Sequence, residues 1–227
     1  MAGSDERREE VLAFVRRAGR TYHRLDFGDG IVLDGEYDMD AYLKQYHLPD
    51  DLEGKTALDA GTSSGYFAFE MARRGAEVTA IDLFDDSFFN EARDALGLSA
   101  RTRYVQKNVY DLNAGFGQFD LVFCGSLLLH LPDPLGALRA LRAVCRGQAI
   151  VATEITENRQ IADLSVCEFL GTPAADGDYF TYWRMTLPGL RAMLLCAGFA
   201  RAEPKGTFVL RGRSGYASLH GVVHAWV

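Results

Sequence analysis

The stretch TALDAGTSSGYFAFEMARRGAEVTAID, residues 56–82, decides the fold. Its first five residues, TALDA (56–60), read as a buried strand. A glycine-bearing loop leads into SGYFAFEMARRG (64–75), which reads as a helix closed by Gly75. EVTAID (77–82) then reads as a second strand, so the whole stretch is a βαβ unit.

The same alternation continues outward. Residues 85–96 read as a helix, 102–108 (TRYVQKN) as a strand, 119–125 (FDLVFCG) as a strand, 134–145 as a helix and 148–154 (QAIVATE) as a strand. Strands alternating with helices predict a Rossmann-like, doubly wound α/β sheet, mostly parallel. Residues 155–186 show no periodicity and are too long for a simple connection, so they read as an insertion. A helix over 187–199 follows. Two last strands, 206–212 and 218–227, are expected to form an antiparallel pair at the C-terminal edge. Upstream, Val11, Phe14, Val15 and Ala18 sit at helical spacing and predict a helix over 5–18. Residues 20–50 are turn-rich. The predicted organisation is a helical, lid-like extension over 1–50, and a Rossmann-like domain over 51–227 carrying the insertion.

Composition narrows the function classes. The chain has 227 residues, 48% of them hydrophobic, and a net charge of −7. That charge gives no general attraction to a phosphate backbone, so nucleic acid is not an expected partner. Cys124, Cys145, Cys167 and Cys196 are widely spaced and form no CxxC pair, so neither a disulfide framework nor a metal site is expected. No apolar run has the length of a membrane span, and the charged first residues, MAGSDERREE, hold no signal-peptide core. A cytoplasmic protein with no membrane partner is the expectation.

The loop LDAGTSSG (58–65) carries the chemistry. Gly61 and Gly65 let the backbone turn tightly and approach a ligand. The helix that follows presents its first N–H groups. Asp82, at the end of the second strand, is placed to accept both ribose hydroxyls of an adenosine. A dinucleotide fingerprint asks for glycine where Ser63 stands, and Asp59 would sit poorly beside a pyrophosphate. A cofactor carrying an ammonium and a sulfonium welcomes that carboxylate. The expected cofactor is S-adenosyl-L-methionine. Asn108 and Val109, after the third strand, are placed to meet the adenine, although Asn108 can also cap a turn.

Residues 56–82 resemble motif I through motif II of class I methyltransferases. More narrowly, YHRLDFGDGIVLDGEYD (22–38), FDLVFCGSLLLHLPDPLGAL (119–138), TYW (181–183) and LRAMLLCAGF (190–199) resemble the tRNA wobble-uridine carboxymethyltransferase family and its small bacterial relatives. The resemblance implies cofactor contacts from Tyr22, Asp59, Gly61, Thr62, Ser63, Gly65, Asp82, Leu83, Asn108, Val109 and Cys124. It matches His130 to a family histidine and Tyr182 to a tyrosine beside the cofactor. Three departures point to methyl rather than carboxymethyl transfer. No counterpart of the further N-terminal region of the tRNA enzymes is expected, Thr62 and Ser63 replace the usual loop residues, and Arg24 falls near the position of their lysine.

Methyl transfer is an in-line displacement in which the protein supplies orientation and, for some acceptors, a base. His130 is the candidate base, with His23 and Tyr182 as further catalytic candidates. Tyr22, His23, His130 and Tyr182 are expected to converge on one cavity, and Tyr37 could join Tyr22 in a lid. Glu154 and Glu157 could meet a substrate or edge a loop. Tyr179, Phe180, Tyr182 and Trp183 could line an aromatic pocket or pack a satellite core. His220 and His224 read as packing residues on a strand. The expected activity is methyl transfer to a small-molecule acceptor. The alternatives are a tRNA-modifying methyl- or carboxymethyltransferase and a non-catalytic cofactor-binding partner subunit.

Overall fold

A computed structural model describes residues 2–85, 87–173 and 180–227. The chain enters through helix α1 (Ala2–Ala18), whose Val11 and Phe14 are buried. Phe14 meets the rings of Phe27 and Phe88, which docks the helix beside the sheet domain.

The turn-rich segment that follows has more order than its sequence suggests. Four short strands, β1 (Thr21–His23), β2 (Leu25–Asp26), β3 (Val32–Leu33) and β4 (Gly35–Tyr37), pair as β1 with β4 and β2 with β3. Two single-turn 3-10 helices, Met39–Ala41 and Leu43–Tyr46, complete it. Strands of two or three residues are too short to display a period of two, which is why only turns are legible there.

The core elements are β5 (Thr56–Ala60), α2 (Tyr66–Arg73), β6 (Glu77–Asp82), α3 (Ser87–Ala95), β7 (Thr102–Gln106), β8 (Phe119–Gly125), α4 (Pro134–Val144) and β9 (Cys145–Glu154). Each lies where the sequence places it, within a few residues at the ends. Asp133 caps α4 by accepting from the Gly136 N–H at 2.8 Å, with Pro134 in the first turn where its missing N–H costs nothing.

Residues 155–186 are not simply irregular. They contain β10 (Cys167–Pro173) and β11 (Phe180–Met185), which pair antiparallel with Phe169 opposite Trp183 and a register shift beyond it. Tyr179 lies outside the described residues. Helix α5 (Leu187–Cys196) is capped by Thr186, whose hydroxyl accepts from the Gly189 N–H at 3.0 Å. The final strands are β12 (Arg201–Arg211) and β13 (Ala217–Trp226), antiparallel as expected, with β12 beginning several residues earlier than its sequence pattern indicates.

The seven-stranded sheet runs β12-β13-β9-β8-β5-β6-β7. β7, β6, β5, β8 and β9 are parallel, and β13 joins β9 antiparallel. From β5 the chain winds outward through β6 and β7, then returns to β8 on the other side. The order therefore reverses between β5 and β8, and ligands in such sheets bind beyond the carboxyl ends of the strands at this point. Each face of the sheet carries its own apolar cluster. One includes Phe67, Phe69, Phe89 and Phe123 with Tyr46 from the extension, and the other includes Leu58, Val122, Cys124, Leu138 and Leu190.

Candidate functional site

A cavity of ~260 Å³ opens where β5 and β8 diverge. Its floor is the loop between β5 and α2. The N–H groups of Gly61 and Thr62 both donate to the Ile81 carbonyl, at 2.9 and 3.1 Å, and the Gly65 N–H donates to Thr62 O. Gly65 itself has φ +92° and caps α2. The Ser63 N–H donates to Asp82 Oδ2 at 2.9 Å, and the Leu83 N–H to Asp82 Oδ1 at 2.7 Å. The loop thus commits the amides of Gly61, Thr62, Ser63 and Gly65 internally. Asp82 both shapes the loop and keeps further lone pairs for a ligand.

Asp59 is buried on β5 and lines the same cavity. Thr62 donates its hydroxyl to Asp59 Oδ2 at 2.7 Å. Burial pushes the Asp59 carboxyl up to about 7, against hydrogen bonds from Thr62 and the Ala68 N–H that favour its charge, while the neighbouring Asp82 adds repulsion. The first turn of α2 therefore offers its Ala68 amide to Asp59. A phosphate finds two carboxylates in its way here, and the anion-binding role expected of this helix terminus is filled by the protein's own side chain.

The expected residues divide cleanly. Tyr22, His23, Asp59, Gly61, Ser63, Asp82, Leu83, Asn108, Val109 and His130 all line the cavity. Asn108 does so while its Oδ1 accepts from the Tyr110 N–H at 3.1 Å, so it also caps a turn. Leu83 and Phe84 are exposed apolar side chains at the rim, 56% and 65% accessible, which suits the two faces of a planar ring system.

Thr62 and Gly65 shape the site from behind rather than lining it. Cys124 is a correction. Phe123 and Gly125 face the cavity, so strand alternation turns Cys124 into the opposite core cluster, where burial pushes its thiol up to about 12.

Tyr182 is the second correction. It is not among the lining residues, so the expected four-residue convergence reduces to Tyr22, His23 and His130. The reason is the β10–β11 hairpin, which packs against the turn Leu128–His130 instead of folding over the cofactor crevice. His130 Nδ1 lies 3.2 Å from Phe180 O, and Trp183 Nε1 donates to Pro132 O at 3.3 Å. A carbonyl can only accept, so in the neutral ring Nδ1 holds the proton and Nε2 carries the lone pair.

His23 is pinned by its backbone, whose N–H donates to Ser64 Oγ at 2.9 Å. Its ring lies among Tyr22, Tyr66 and Phe67, with Nδ1 unpartnered. Burial drops its pKa to about 3, so the ring is neutral at physiological pH. Tyr37 is buried against Tyr22 and does not line the cavity. Arg24 is held among Asp26, Asp38 and Asp40 and does not face it either. Glu154, rather than edging a loop, is buried. It accepts from Arg184 Nε at 2.6 Å and from the Tyr216 hydroxyl at 2.9 Å. Glu157 is exposed.

No sequence signal marks the far wall, built by Met39, Tyr46, Phe67, Phe123 and Leu210. These positions come from the extension, α2, β8 and β12, and only the tertiary fold unites them. Ser126, the residue after β8, was also unforeseen, since a serine following a strand is unremarkable in sequence.

Among the described residues, no group of three or more His, Cys, Asp or Glu is placed to hold a metal ion. No helix among them is long and apolar enough to cross a membrane.

Comparison with known proteins agrees with this geometry. Residues 58–153 match the family described as a methyltransferase domain. A ubiquinone biosynthesis O-methyltransferase of Vibrio parahaemolyticus is 35% identical over 98 residues, 43% of this chain and 42% of its own length. That of Alkalilimnicola ehrlichii is 37% identical over 109 residues, 47% of this chain and 44% of its own. The chain thus spans less than half the length of these curated relatives. Among solved structures, the N-terminal domain of EvdMO1, determined with SAH and D-fucose, superposes with a TM-score of 0.68 at 17% identity, covering 100% of this chain and 97% of that one. Magnesium protoporphyrin IX methyltransferase of Synechocystis, with bound SAH, gives 0.59 at 18% identity over 83% and 81%. The fold is the Rossmann-like fold of the class I methyltransferases.

Proposed function

We propose that this protein is an S-adenosylmethionine-dependent methyltransferase acting on a small-molecule acceptor. The observation that carries the reading is the polar wall of the cavity. Two carboxylates, Asp59 and Asp82, face it, while four loop amides that could have cradled phosphate are bonded within the protein. A nucleoside with cationic groups fits that pair of acceptors, and a pyrophosphate does not. Asp82 holds the ribose hydroxyls, Leu83, Phe84 and Val109 enclose the adenine with Asn108 at its edge, and Asp59 draws the ammonium. The bound cofactor supplies an electrophilic methyl group.

The chain's own residues bind, orient and exclude water. Tyr22 and His23 close the cavity from the extension. His130, in the turn after β8, presents Nε2 as the base for an acceptor that must lose a proton. The wall of Tyr46, Phe67, Phe123, Leu127, Leu131 and Leu210 suits an aromatic or otherwise apolar acceptor. The ubiquinone-biosynthesis relatives, O-methyltransferases by name, are consistent with that class.

Isothermal calorimetry with S-adenosylhomocysteine and with NAD tests the cofactor. Binding of the first without the second is expected, and tight NAD binding with no response to S-adenosylhomocysteine refutes the reading. The narrower resemblance to tRNA wobble-uridine enzymes is the second reading. Arg24, at the place of their lysine, is turned to three aspartates, and the net charge of −7 runs against it. A gel shift with bulk tRNA at moderate salt is expected to be negative. A submicromolar complex that weakens steeply with salt would favour tRNA instead.

A further inference from the structure

Ser126 sits at the carboxyl end of β8 with φ +51°, a left-handed conformation uncommon for a residue with a side chain. Its N–H donates to Ala152 O at 2.8 Å, so the strained turn is fixed to the neighbouring strand. It lines the cavity beside Gly125, Leu127 and His130. Its hydroxyl lies 3.0 Å from Nε2 of His220, a buried residue on β13 that does not itself reach the cavity.

The direction of this hydrogen bond follows from the other side of the imidazole. His220 Nδ1 is 3.4 Å from both the backbone carbonyl and the hydroxyl of Ser218. A carbonyl only accepts, and a nitrogen lone pair facing it would be repelled, so Nδ1 carries the ring proton. Burial disfavours the imidazolium, which keeps the ring neutral. Nε2 is then an acceptor, and it takes the hydrogen of the Ser126 hydroxyl. What Ser126 has left to offer the cavity is oxygen lone pairs.

We propose that Ser126 selects a methyl acceptor bearing an O–H or N–H hydrogen, because His220 holds the serine proton turned away from the cavity. Ser126 is the specificity-determining residue, and His220 positions it. Before reaction, an acceptor that brings a hydrogen completes the chain from ligand to Ser126 to His220 to Ser218, and a hydroxyl gives that hydrogen up to His130 only as its oxygen attacks the methyl group. A product methylated at a hydroxyl, or at a nitrogen that had a single hydrogen, brings none, leaves the serine oxygen without that donor and is bound more weakly, which favours product over substrate release. The left-handed turn at Ser126 is the backbone strain that places the oxygen there. This inference rests on the methyltransferase reading for the identity of the ligand, but not for the orientation of the dyad.

The test uses the whole protein labelled with 15N-histidine, and phenol and methoxybenzene as probes of similar shape with and without the hydrogen. In the ligand-free protein at pH 7, His220 is expected to show a protonated Nδ1 and an unprotonated Nε2. A protonated Nε2 overturns the proposal, whatever the cofactor. With S-adenosylhomocysteine bound, phenol is expected to shift the His220 Nε2 resonance and to bind about two- to tenfold more tightly than methoxybenzene. Ser126→Gly removes the hydroxyl while relieving the positive φ, so it is expected to fold, to bind S-adenosylhomocysteine as before, and to lose both the shift and the preference. His220→Phe leaves the serine hydroxyl free to rotate and is expected to lose the preference while keeping Ser126. Equal binding of the two probes, no phenol binding, or a preference that survives Ser126→Gly refutes the selection. Failure of S-adenosylhomocysteine to bind refutes the function reading instead, with the His220 tautomer still reporting on the dyad.

Discussion

Asp59→Asn separates what the buried carboxylate costs the fold from what it gives the ligand. An ordinary aspartate titrates near 3.8 and Asp59 at about 7. At 1.36 kcal/mol per tenfold change in the proton equilibrium, ionising Asp59 in the native protein costs about 4 kcal/mol more than in the unfolded chain. The native state therefore binds more protons than the unfolded one between about pH 4 and 7. Stability falls as pH rises through that window and levels off above it. The asparagine amide cannot ionise, and its oxygen can still accept from the Thr62 hydroxyl. The variant is therefore expected to match the parent at pH 4 and to exceed it by up to about 4 kcal/mol at pH 8, measured by urea denaturation.

Binding runs the other way. A cationic ligand needs the carboxylate, which is about nine-tenths ionised at pH 8 and about one-tenth at pH 6. S-adenosylhomocysteine should therefore bind about tenfold more weakly at pH 6 than at pH 8. Calorimetry in buffers of different ionisation heat should detect release of about 0.9 proton at pH 6. The asparagine variant should bind weakly at both pH values and release none. A parent affinity that does not change with pH, with no proton released, would show that Asp59 does not face the ligand's cation.

Three further variants probe the loop and the far side. Asp82→Ala removes the acceptor of the Ser63 and Leu83 amides as well as of the ribose, and should weaken S-adenosylhomocysteine binding by about ten- to a hundredfold in calorimetry. An unchanged dissociation constant would displace the ribose from Asp82. Gly65→Ala forces a side chain to φ +92° and brings its Cβ within 2.6 Å of Phe69 and 2.9 Å of Phe89. The expected cost is roughly 2–4 kcal/mol, a loss of about 4–16 °C in Tm by scanning calorimetry. His130→Ala should slow methyl transfer to a hydroxyl acceptor by about a hundredfold or more while leaving S-adenosylhomocysteine affinity within about twofold. Retention of full turnover would remove His130 from the chemistry.

The βαβ order was legible because the inner parallel strands β5, β6, β8 and β9 are buried along most of their length, and each helix carries its own cap or glycine stop. The loop was legible for a related reason: glycines at a strand-to-helix turn and an aspartate ending the next strand are local features. The β10–β11 hairpin was not legible. Its strands lie at the periphery with most residues exposed or half-buried, so no apolar period marks them. The far wall escaped because Tyr46 reaches it through long-range contacts, among them the hydrogen bond that its carbonyl accepts from His224 Nε2 at 2.9 Å, 178 residues away in sequence.

The two misplaced site residues differ in why they were misplaced. Cys124 fails on a rule the sequence already contains. Strand residues alternate, and if Phe123 and Gly125 face the ligand then Cys124 cannot, whatever its neighbours suggest. Tyr182 fails for a reason the sequence does not contain. On β11, Arg184 follows Tyr182 at the strand period and is drawn to Glu154 at the end of β9. His130, in the turn that follows β8, holds Phe180 by its carbonyl. These two anchors fix the hairpin against the Leu128–His130 turn, and Tyr182 lies between them. The same imidazole thus serves the hairpin through Nδ1 and lines the cavity, so the insertion acts on the site by fixing the ring of His130 rather than by contributing a tyrosine to it.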